Sequence, residues 1–341
     1  MTTPPGLGPH CVGQRVVVRR IVHGETGPTG GPAMTDLLGV MESWAEGTTT
    51  VRDESGAVAA IAIADIVSGK PVPPRPSVRH RVSAEAAERR AVQGWPPLVS
   101  RRLGEWVLRA SGGYSSRANS VLAVGSAAMA FPEALSAVVE FYTGQGLPPQ
   151  AQVVVGSEVH HAFEDAGWVS ARPGEADTRF QLGSVAQALR AVRRTGPVAA
   201  PSVTVEPTAG PAWLADDERA RSYGAAALRV LEGPDQVGFA SMVVAGEVVA
   251  KGRVAYADDW AGISNVWVSP ARRRQGLAVV VMGALLEWGA ERGATTVYLQ
   301  TRGDNPAALT LYDRLGFVTH HEYRYLTLSQ AERPWSPSAR T

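Results

Sequence analysis

Short alternating apolar stretches distinguish the start of the chain from the rest. From about residue 10 to residue 75, no stretch has the length or the period of a helix, and turn residues separate the apolar runs. The runs are GQRVVVRRIV, LLGVMESW, TTTVRD and GAVAAIAIADIV, and DESG at 53–56 predicts a hairpin turn. Several short strands in so small a region predict a β-barrel domain over residues 10–75.

Helical and strand periods alternate over residues 83–194, which we expect to form a mixed α and β domain. Two helices are predicted, SAEAAERRAVQGW with Ser83 as N-cap and FPEALSAVVEFYTGQG with Pro132 at its start. VHHAFEDAGW predicts a shorter helix. The predicted strands are EWVLRA, ANSVLAV, QAQVVV and TRFQLGSV.

A third domain is predicted over residues 202–328, after the linker RTGPVAAP. Its pattern gives a strand, a helix ending near Gly224, three consecutive strands, a long helix, a strand, a short helix and a last strand. The second and third domains share the order long helix, strand, short helix, strand, so they form a divergent repeat in this interpretation. The Pro- and Ser-rich tail 329–341 is predicted to be disordered. The fold class is therefore α+β.

Composition narrows the classes of partner. Lys and Arg number 33 and Asp and Glu 32, so the net charge of +1 provides no overall attraction to nucleic acid or to an acidic membrane. The apolar runs are too short to span a bilayer. The single cysteine, Cys11, forms no internal disulfide, and with no visible signal peptide we expect a cytoplasmic protein. Residues 75–109 hold eight arginines against three glutamates, which favours a solvated surface over a nucleic-acid patch.

Residues 269–281, SPARRRQGLAVVV, carry the clearest chemical signal. They join the predicted strand ISNVWV to a helix that is apolar almost all round, as a core helix is and a DNA-reading helix is not. The first turn of a helix has unpaired N–H groups and a positive dipole end, which suit a phosphate. Gly276 and Ala278 leave room for a close approach of the anion.

Two segments resemble the GNAT superfamily of acyl-CoA-dependent N-acetyltransferases. The pattern Arg-x-x-Gly-x-Ala at 273–278 follows VWV, and Asn305-Pro-Ala-Ala precedes LYDRLGF at 311–317. The resemblance covers residues 202–328. It implies a GNAT fold, acetyl-CoA as co-substrate, and direct transfer of an acetyl group to a primary amine, on either a protein lysine or a small molecule.

The resemblance also implies roles for particular residues. The strand backbone of Val266, Trp267 and Val268 would pair with the pantetheine arm. Asn305 would contact the cofactor, and Tyr312 would protonate the leaving thiolate. Asn305 before Pro306 is also an ordinary N-cap pair, and Tyr312 also has the spacing of a core residue. The residues that would hold the pyrophosphate are the Arg273 side chain and the backbone amides of Arg274, Gln275, Gly276, Leu277 and Ala278.

No general base stands out. The strand 263–266 holds neither a carboxylate nor a histidine, although many members of the superfamily place a glutamate there. A water-mediated base, or an amine that arrives neutral, stays open. His160, His161 and Glu164 could bind a metal, but a surface helix is the favoured interpretation and no metal is expected. The other candidates for the base are Asp258, Asp259, Glu206, His320 and His321.

The first two domains suggest auxiliary roles. GSAAMAFPEALSAV stands where the second domain would need a pyrophosphate loop, so that domain resembles a degenerate acetyltransferase half. With GGYSSRANSV and a Src-homology-three-like barrel, the layout is similar to actinobacterial tandem proteins, some labelled histone acetyltransferase. We expect the second domain to shape the acceptor cleft and the barrel to recruit a protein partner. The alternatives are a non-catalytic acyl-CoA-binding protein and a nucleic-acid-associated factor; the oligomeric state is open.

Overall fold

A computed structural model describes residues 6–26, 30–53, 56–72, 81–197 and 201–329, and the chain divides into two units, Met1–Ser77 and Val78–Thr341. Most of the predicted linker KPVPPRPSVRHRV and the predicted tail beyond Ser329 lie outside the described residues. The middle of the predicted 53–56 turn does as well.

The first unit is built on one antiparallel sheet in the order β4-β3-β2-β1-β5. Its strands are β1 (Arg15–Thr26), β2 (Pro32–Ala45), β3 (Thr48–Asp53), β4 (Val58–Ala62) and β5 (Ile66–Pro71), with a 3-10 turn at Ile63–Asp65 before β5. Burial alternates along β1, and Val16 and Val18 pack with Cys11 and Met41 in the core. β4 and β5 form the two ends of the described sheet, so the closed barrel stays a prediction.

The second unit contains eight helices and twelve strands among the described residues. The helices are α1 (Ala84–Gly94), α2 (Phe131–Gly144), α3 (Glu158–Asp165), α4 (Val185–Thr195), α5 (Pro211–Leu214), α6 (Glu218–Leu231), α7 (Leu277–Glu291) and α8 (Pro306–Arg314). The strands of its first half are β6 (Val99–Leu103), β7 (Trp106–Ala110), β8 (Val121–Leu122), β9 (Gln150–Val154), β10 (Trp168–Ser170) and β11 (Thr178–Ser184). Those of its second half are β12 (Val203–Glu206), β13 (Gln236–Val244), β14 (Glu247–Ala257), β15 (Trp260–Val268), β16 (Thr296–Arg302) and β17 (Val318–Leu328).

These strands form one sheet, and the two halves exchange strands within it. The order is β12-β13-β14-β15-β16-β11-β17-β9-β8-β7-β6, with β10 beside β17. β11, from the first half, lies antiparallel between β16 and β17 of the second half. β17 in turn continues past β11 to pair with β9 and β10 of the first half. The two predicted domains therefore share a hydrogen-bonded ladder, and the boundary near residues 194–202 stays a prediction.

Each face of the sheet is covered by helices. On one face α7 packs on β14 and β15, and α4 packs against α7. The core there joins Val281 and Leu285 of α7 with Ile263, Leu299 and residues of α4. On the opposite face Ala87 and Ala91 of α1 pack with Phe180, Leu182 and Tyr298. The described helices include none that is long and apolar enough to cross a membrane.

Three elements differ from the sequence-based predictions. α4 was not predicted, although VAQALRAVRRT carries an apolar stripe that buries Val185, Ala188 and Ala191. The helical segment predicted to end near Gly224 does end there, because Gly224 has non-helical angles (φ 49°, ψ −120°), and a second helical segment that was not predicted follows it to Leu231 within α6. ANSVLAV forms only the two-residue strand β8, because the residues before it belong to a tight loop.

The strand exchange predicts that residues 201–329 do not fold alone. Without β11, β16 loses its antiparallel neighbour, and without α4 the apolar surface of α7 is exposed. We expect a fragment of residues 201–329 to be unfolded or aggregated and a fragment of residues 81–329 to unfold cooperatively. Circular dichroism with urea titration measures both. A cooperative transition of the shorter fragment would contradict the interdependence of the halves.

Candidate functional site

β15 and β16 separate at a fork, and the fork exposes one backbone edge. The two strands pair in parallel from Trp260 with Thr296 to Ile263 with Leu299, and no further. Beyond that point β16 continues along β11, with Gln300 opposite Phe180, while β15 stays on β14. Residues 264–268 thus have no strand partner toward β16. The predicted Val266, Trp267 and Val268 lie on this open edge.

A β-bulge turns the open strand. Between the pairs Arg253–Ser264 and Lys251–Trp267, β15 holds one more residue than β14, and Asn265 has φ 53°. Such a bulge re-aims the side chains that follow it. Val266 and Val268 pack against the core beneath α7.

The loop after β15 presents a row of free amides. A 3-10 turn at Pro270–Arg272 leads to Arg274 with φ 65° and Gly276 with φ 78°, where α7 begins. The amides of Arg272 and Arg273 donate to Ser269 and Pro270, and those of Val279 and Val280 donate to Gly276. In the described part of the chain, the intervening amides make no hydrogen bond. They belong to Arg274, Gln275, Gly276, Leu277 and Ala278.

This row of donors suits an anion. Successive free N–H groups at the start of a fifteen-residue helix form a concave donor surface at the positive end of the helix dipole. The Arg273 side chain is exposed, and its Nε lies 3.4 Å from the carbonyl oxygen of Val268, so it can turn toward a bound phosphate. A Cβ added to Gly276 would lie 3.1 Å from Cδ of Pro197, which leaves no spare room at this position.

The two predicted residues on α8 have different local roles. The Asn305 side chain accepts a hydrogen bond of 3.2 Å from the amide of Ala308, which makes it the N-cap of α8. Tyr312 is 8% exposed and belongs to the core beneath α7, with its ring 5.8 Å from that of Phe317. Burial raises the pKa of Tyr312 to about 12, so its hydroxyl stays protonated at neutral pH.

The predicted candidates for the general base do not meet at the fork. Asp258 and Asp259 precede β15, at the opposite end of the strand from the loop, and Asp259 pairs with Arg90 at 3.5 Å. Glu206 is exposed at the end of the outer strand β12. His320 and His321 lie on β17 and are already engaged, with their Nδ1 atoms 2.8 Å apart.

A buried polar network, not predicted from the sequence, holds His321. Its Nε2 lies 3.0 Å from Oε1 of Glu88, which is 2% exposed on α1. Oε2 of Glu88 accepts a 2.8 Å hydrogen bond from Gln152, whose Oε1 accepts one of 2.8 Å from Arg109. Arg109 also donates to the carbonyl and hydroxyl oxygens of Ser120. In the sequence, the one sign of this network is Arg109, which occupies an inward position of the apolar predicted strand EWVLRA.

A second buried arginine lies beside the fork. Arg253 on β14 is 1% exposed and donates to the carbonyl oxygens of Leu231 and Gly94. Its Nη1 also lies 3.3 Å from Oγ of Ser264, the first residue of β15 beyond the last pair with β16. Burial lowers the pKa of Arg253 to about 10, so it stays charged at neutral pH.

The two adjacent histidines on α3 differ in burial, as expected for a surface helix that buries one face. His160 is 4% exposed, and its Nδ1 accepts a hydrogen bond from the amide of Gly156. Glu164 lies 3.1 Å from His160 and 3.4 Å from Arg324, while His161 is exposed. The arginine already supplies positive charge to Glu164, which weakens the case for a cation here.

Comparison with known proteins decides the family. A protein-family model described as "Probable histone acetyltransferase Rv0428c C-terminal" matches residues 83–326, more than half of the chain. The chain belongs to this family. The predicted GNAT resemblance is thereby confirmed for the second unit.

Relatives cover nearly all of the chain. The uncharacterized N-acetyltransferase YobR of Bacillus subtilis is 28% identical over 247 residues, 70% of this chain and 96% of its own length. The probable histone acetyltransferase Rv0428c of Mycobacterium tuberculosis is 28% identical over 338 residues, 96% of this chain and 97% of its own. The second relative therefore also spans the first unit.

A solved structure confirms the fold class. The GCN5-related N-acetyltransferase from Kribbella flavida superposes with a TM-score of 0.53 at 18% sequence identity, over 72% of this chain and 96% of its own. At that identity the likeness establishes the fold. Together with the named relatives, it identifies this chain as a GNAT acetyltransferase.

The network around Glu88 predicts a large loss of stability when its carboxylate is removed. In Glu88→Ala, His321 and Gln152 lose a buried partner, and we expect the free energy of unfolding to fall by about 3–5 kcal/mol. The matched control is Glu85→Ala, on an exposed position of the same helix, with a loss below about 1 kcal/mol. Urea denaturation measures both. Equal losses would contradict the network's role.

Proposed function

We propose that this protein transfers an acetyl group from acetyl-CoA to a primary amine by direct transfer within a ternary complex. The observation that carries the proposal is the open edge of β15 that leads directly into the five free amides at the start of α7. In a GNAT acetyltransferase these two features are continuous donor surfaces for one extended ligand. The alternative, binding of acyl-CoA without catalysis, shares both features and differs only in turnover.

The residues present fit acetyl-CoA along its length. The free backbone edge of Val266 to Val268 would pair with the amide groups of the pantetheine arm, as a strand would. The amides from Arg274 to Ala278 and the Arg273 guanidinium would hold the pyrophosphate. Asn305 would contact the cofactor from the N-terminus of α8.

Acetyl transfer then requires two proton movements. The acceptor amine, in its neutral form, attacks the carbonyl carbon of the thioester; the new C–N bond forms and the C–S bond breaks. The attacking nitrogen becomes positively charged and loses its extra proton to solvent to give the amide, and the departing thiolate takes a proton from a donor. We assign that donor role to Tyr312 on the GNAT resemblance of the segment LYDRLGF at 311–317, and its hydroxyl is protonated at neutral pH.

Substitution of Tyr312 by Phe tests the assignment. The variant removes only the hydroxyl, so the core keeps its volume, and we expect kcat to fall by about 10²-fold or more. Affinity for acetyl-CoA should be unchanged. Thiol release with an amine acceptor and equilibrium titration of acetyl-CoA measure the two quantities.

The pH dependence of kcat provides the control for that variant. Because the pKa of Tyr312 is raised to about 12, the wild-type enzyme should show no loss of kcat from deprotonation of the donor between pH 7 and pH 10. A variant with unchanged kcat would show that Tyr312 is a core residue only. Acetyl-CoA binding without turnover of any amine would instead support the non-catalytic alternative.

The glycine before α7 offers a test of the amide row. Gly276→Ala places a Cβ at φ 78° and against Pro197, which shifts the amides, and we expect acetyl-CoA to bind at least tenfold more weakly. Gly246→Ala is the matched control, because Gly246 has φ 84° but open space around it. Both variants should lose about 1 kcal/mol of stability, since alanine is strained at positive φ. Equal acetyl-CoA affinity in the two variants would contradict the assignment.

A further inference from the structure

The face of the fork opposite α7 is lined by polar groups. Side chains two residues apart on a strand share a face, so Gln300 lies on the same side of β16 as Tyr298, toward α1. Gln300 is the first residue of β16 beyond the last pair with β15, as Ser264 is on β15. The hydroxyl of Tyr323 donates a 2.8 Å hydrogen bond to Oε1 of Gln300. A substrate group bound at the fork would contact this polar face.

A loop of the first half adds a guanidinium to the same region. Two arginines lie near the ring of Trp95, Arg117 at 5.0 Å and Arg253 at 4.9 Å from its centroid. Burial raises the pKa of Tyr323 well above its ordinary value, and the positive charge of Arg117 opposes that shift. The charge of Arg117 therefore acts on the same tyrosine that holds Gln300.

The loop that carries Arg117 is held in place. The side chain of Asn119 accepts hydrogen bonds from the amides of Ser111 and Gly113 and donates to the carbonyl oxygens of Tyr114 and Ser115. These four bonds tie both sides of the loop to one buried side chain. The backbone of the loop that carries Arg117 is thus held before any ligand binds.

Two donors at this face lack partners. Nε of Arg117 and Nε2 of Gln300 are both buried, and neither has a hydrogen-bond acceptor among the described residues. A buried donor without an acceptor is costly, and a buried cation without a counter-charge is more so. No described carboxylate forms an ion pair with Arg109, Arg117 or Arg253, and the nearby Glu88 is bonded to His321 and Gln152.

We propose that the amine acceptor carries an anionic group, and that Arg117, Arg253 and Gln300, which we term the fork cluster, recognise it. The anion would accept hydrogen bonds from the two free donors, and Arg253 would contribute its charge. This inference rests on the proposed function, because it places the acceptor amine beside the thioester. The same charges disfavour a lysine within a basic protein segment, since like charges repel.

The test compares acceptors that differ in one charge. Thiol release from acetyl-CoA is measured with twenty amino acids and their α-amides, and with glucosamine 6-phosphate and glucosamine. The amino acids and their amides test recognition of a carboxylate, and the two glucosamines test recognition of a phosphate. We expect the wild-type enzyme to favour the anionic member of one set by about tenfold to a hundredfold in kcat/KM. In Arg117→Gln that ratio should fall toward one, with acetyl-CoA affinity unchanged.

Arg292→Gln is the matched control, because Arg292 also stacks on a tryptophan, Trp288, but lies at the far end of α7. It should leave the ratio unchanged. Equal turnover of anionic and neutral members, or a ratio that survives Arg117→Gln, would overturn the inference and leave the proposed function standing.

A second readout needs no acetyl-CoA. We expect the anionic compounds of the preferred set to raise the unfolding temperature of the wild-type protein and not that of Arg117→Gln. If the anionic compounds raise the unfolding temperature but acetyl-CoA does not bind, the anion site is supported and the proposed function is wrong. If no anionic compound of either set is turned over or stabilises the protein, the fork cluster does not bind an acceptor and the inference is wrong.

Discussion

The position of β11 between β16 and β17 is the constraint on which the functional half depends. β11 pairs with β16 along its whole length, from Thr296 to Arg302, on the edge opposite β15, and so holds β16 in the sheet beyond Leu299, where β15 no longer pairs with it. The fork thus forms where β15 turns away at its bulge while a strand from the other half keeps β16 in the sheet. α4, which follows β11 directly, packs on α7 and supports the helix whose first turn carries the free amides.

The same exchange gives the first half a role although it lacks a pyrophosphate loop. β17 extends from the second half onto β9, and with it come His321 and Tyr323, which bond to residues of α1 and β16. The loop that holds Arg117 belongs to this half as well, and its guanidinium lies 5.0 Å from the ring of Trp95, which Arg253 also contacts. Although the sequence of this half has no pyrophosphate-loop pattern, the half can contribute charged side chains to the proposed acceptor site.

Local chemistry was predictable from the sequence, and long-range pairing was not. The loop 269–278 and α7 follow from glycine, arginine and apolar spacing within a few residues, and the caps of α1 and α8 follow from single side chains. The pairing of Phe180 with Gln300 joins residues far apart in the chain, and no local pattern specifies it. Arg109 and Arg253 were visible as charges inside apolar strands, but their partners come from other elements. The predicted strand TRFQLGSV extends to Val185, the first residue of α4, so the sequence pattern does not mark where this helix begins.

The buried arginines also suggest a reason why β15 holds no glutamate or aspartate that could serve as the general base. Oγ of Ser264 lies 3.3 Å from Nη1 of Arg253, so a glutamate or aspartate at position 264 would form an ion pair with that guanidinium. The pairing would lower the pKa of the carboxylate and make it a weaker base. A positively charged surrounding would instead lower the pKa of an ammonium group on the proposed acceptor and favour its neutral form. In the proposed reaction, Arg253 would both weaken a carboxylate base on β15 and favour the neutral form of the acceptor amine. Its presence is therefore consistent with a strand that holds no carboxylate.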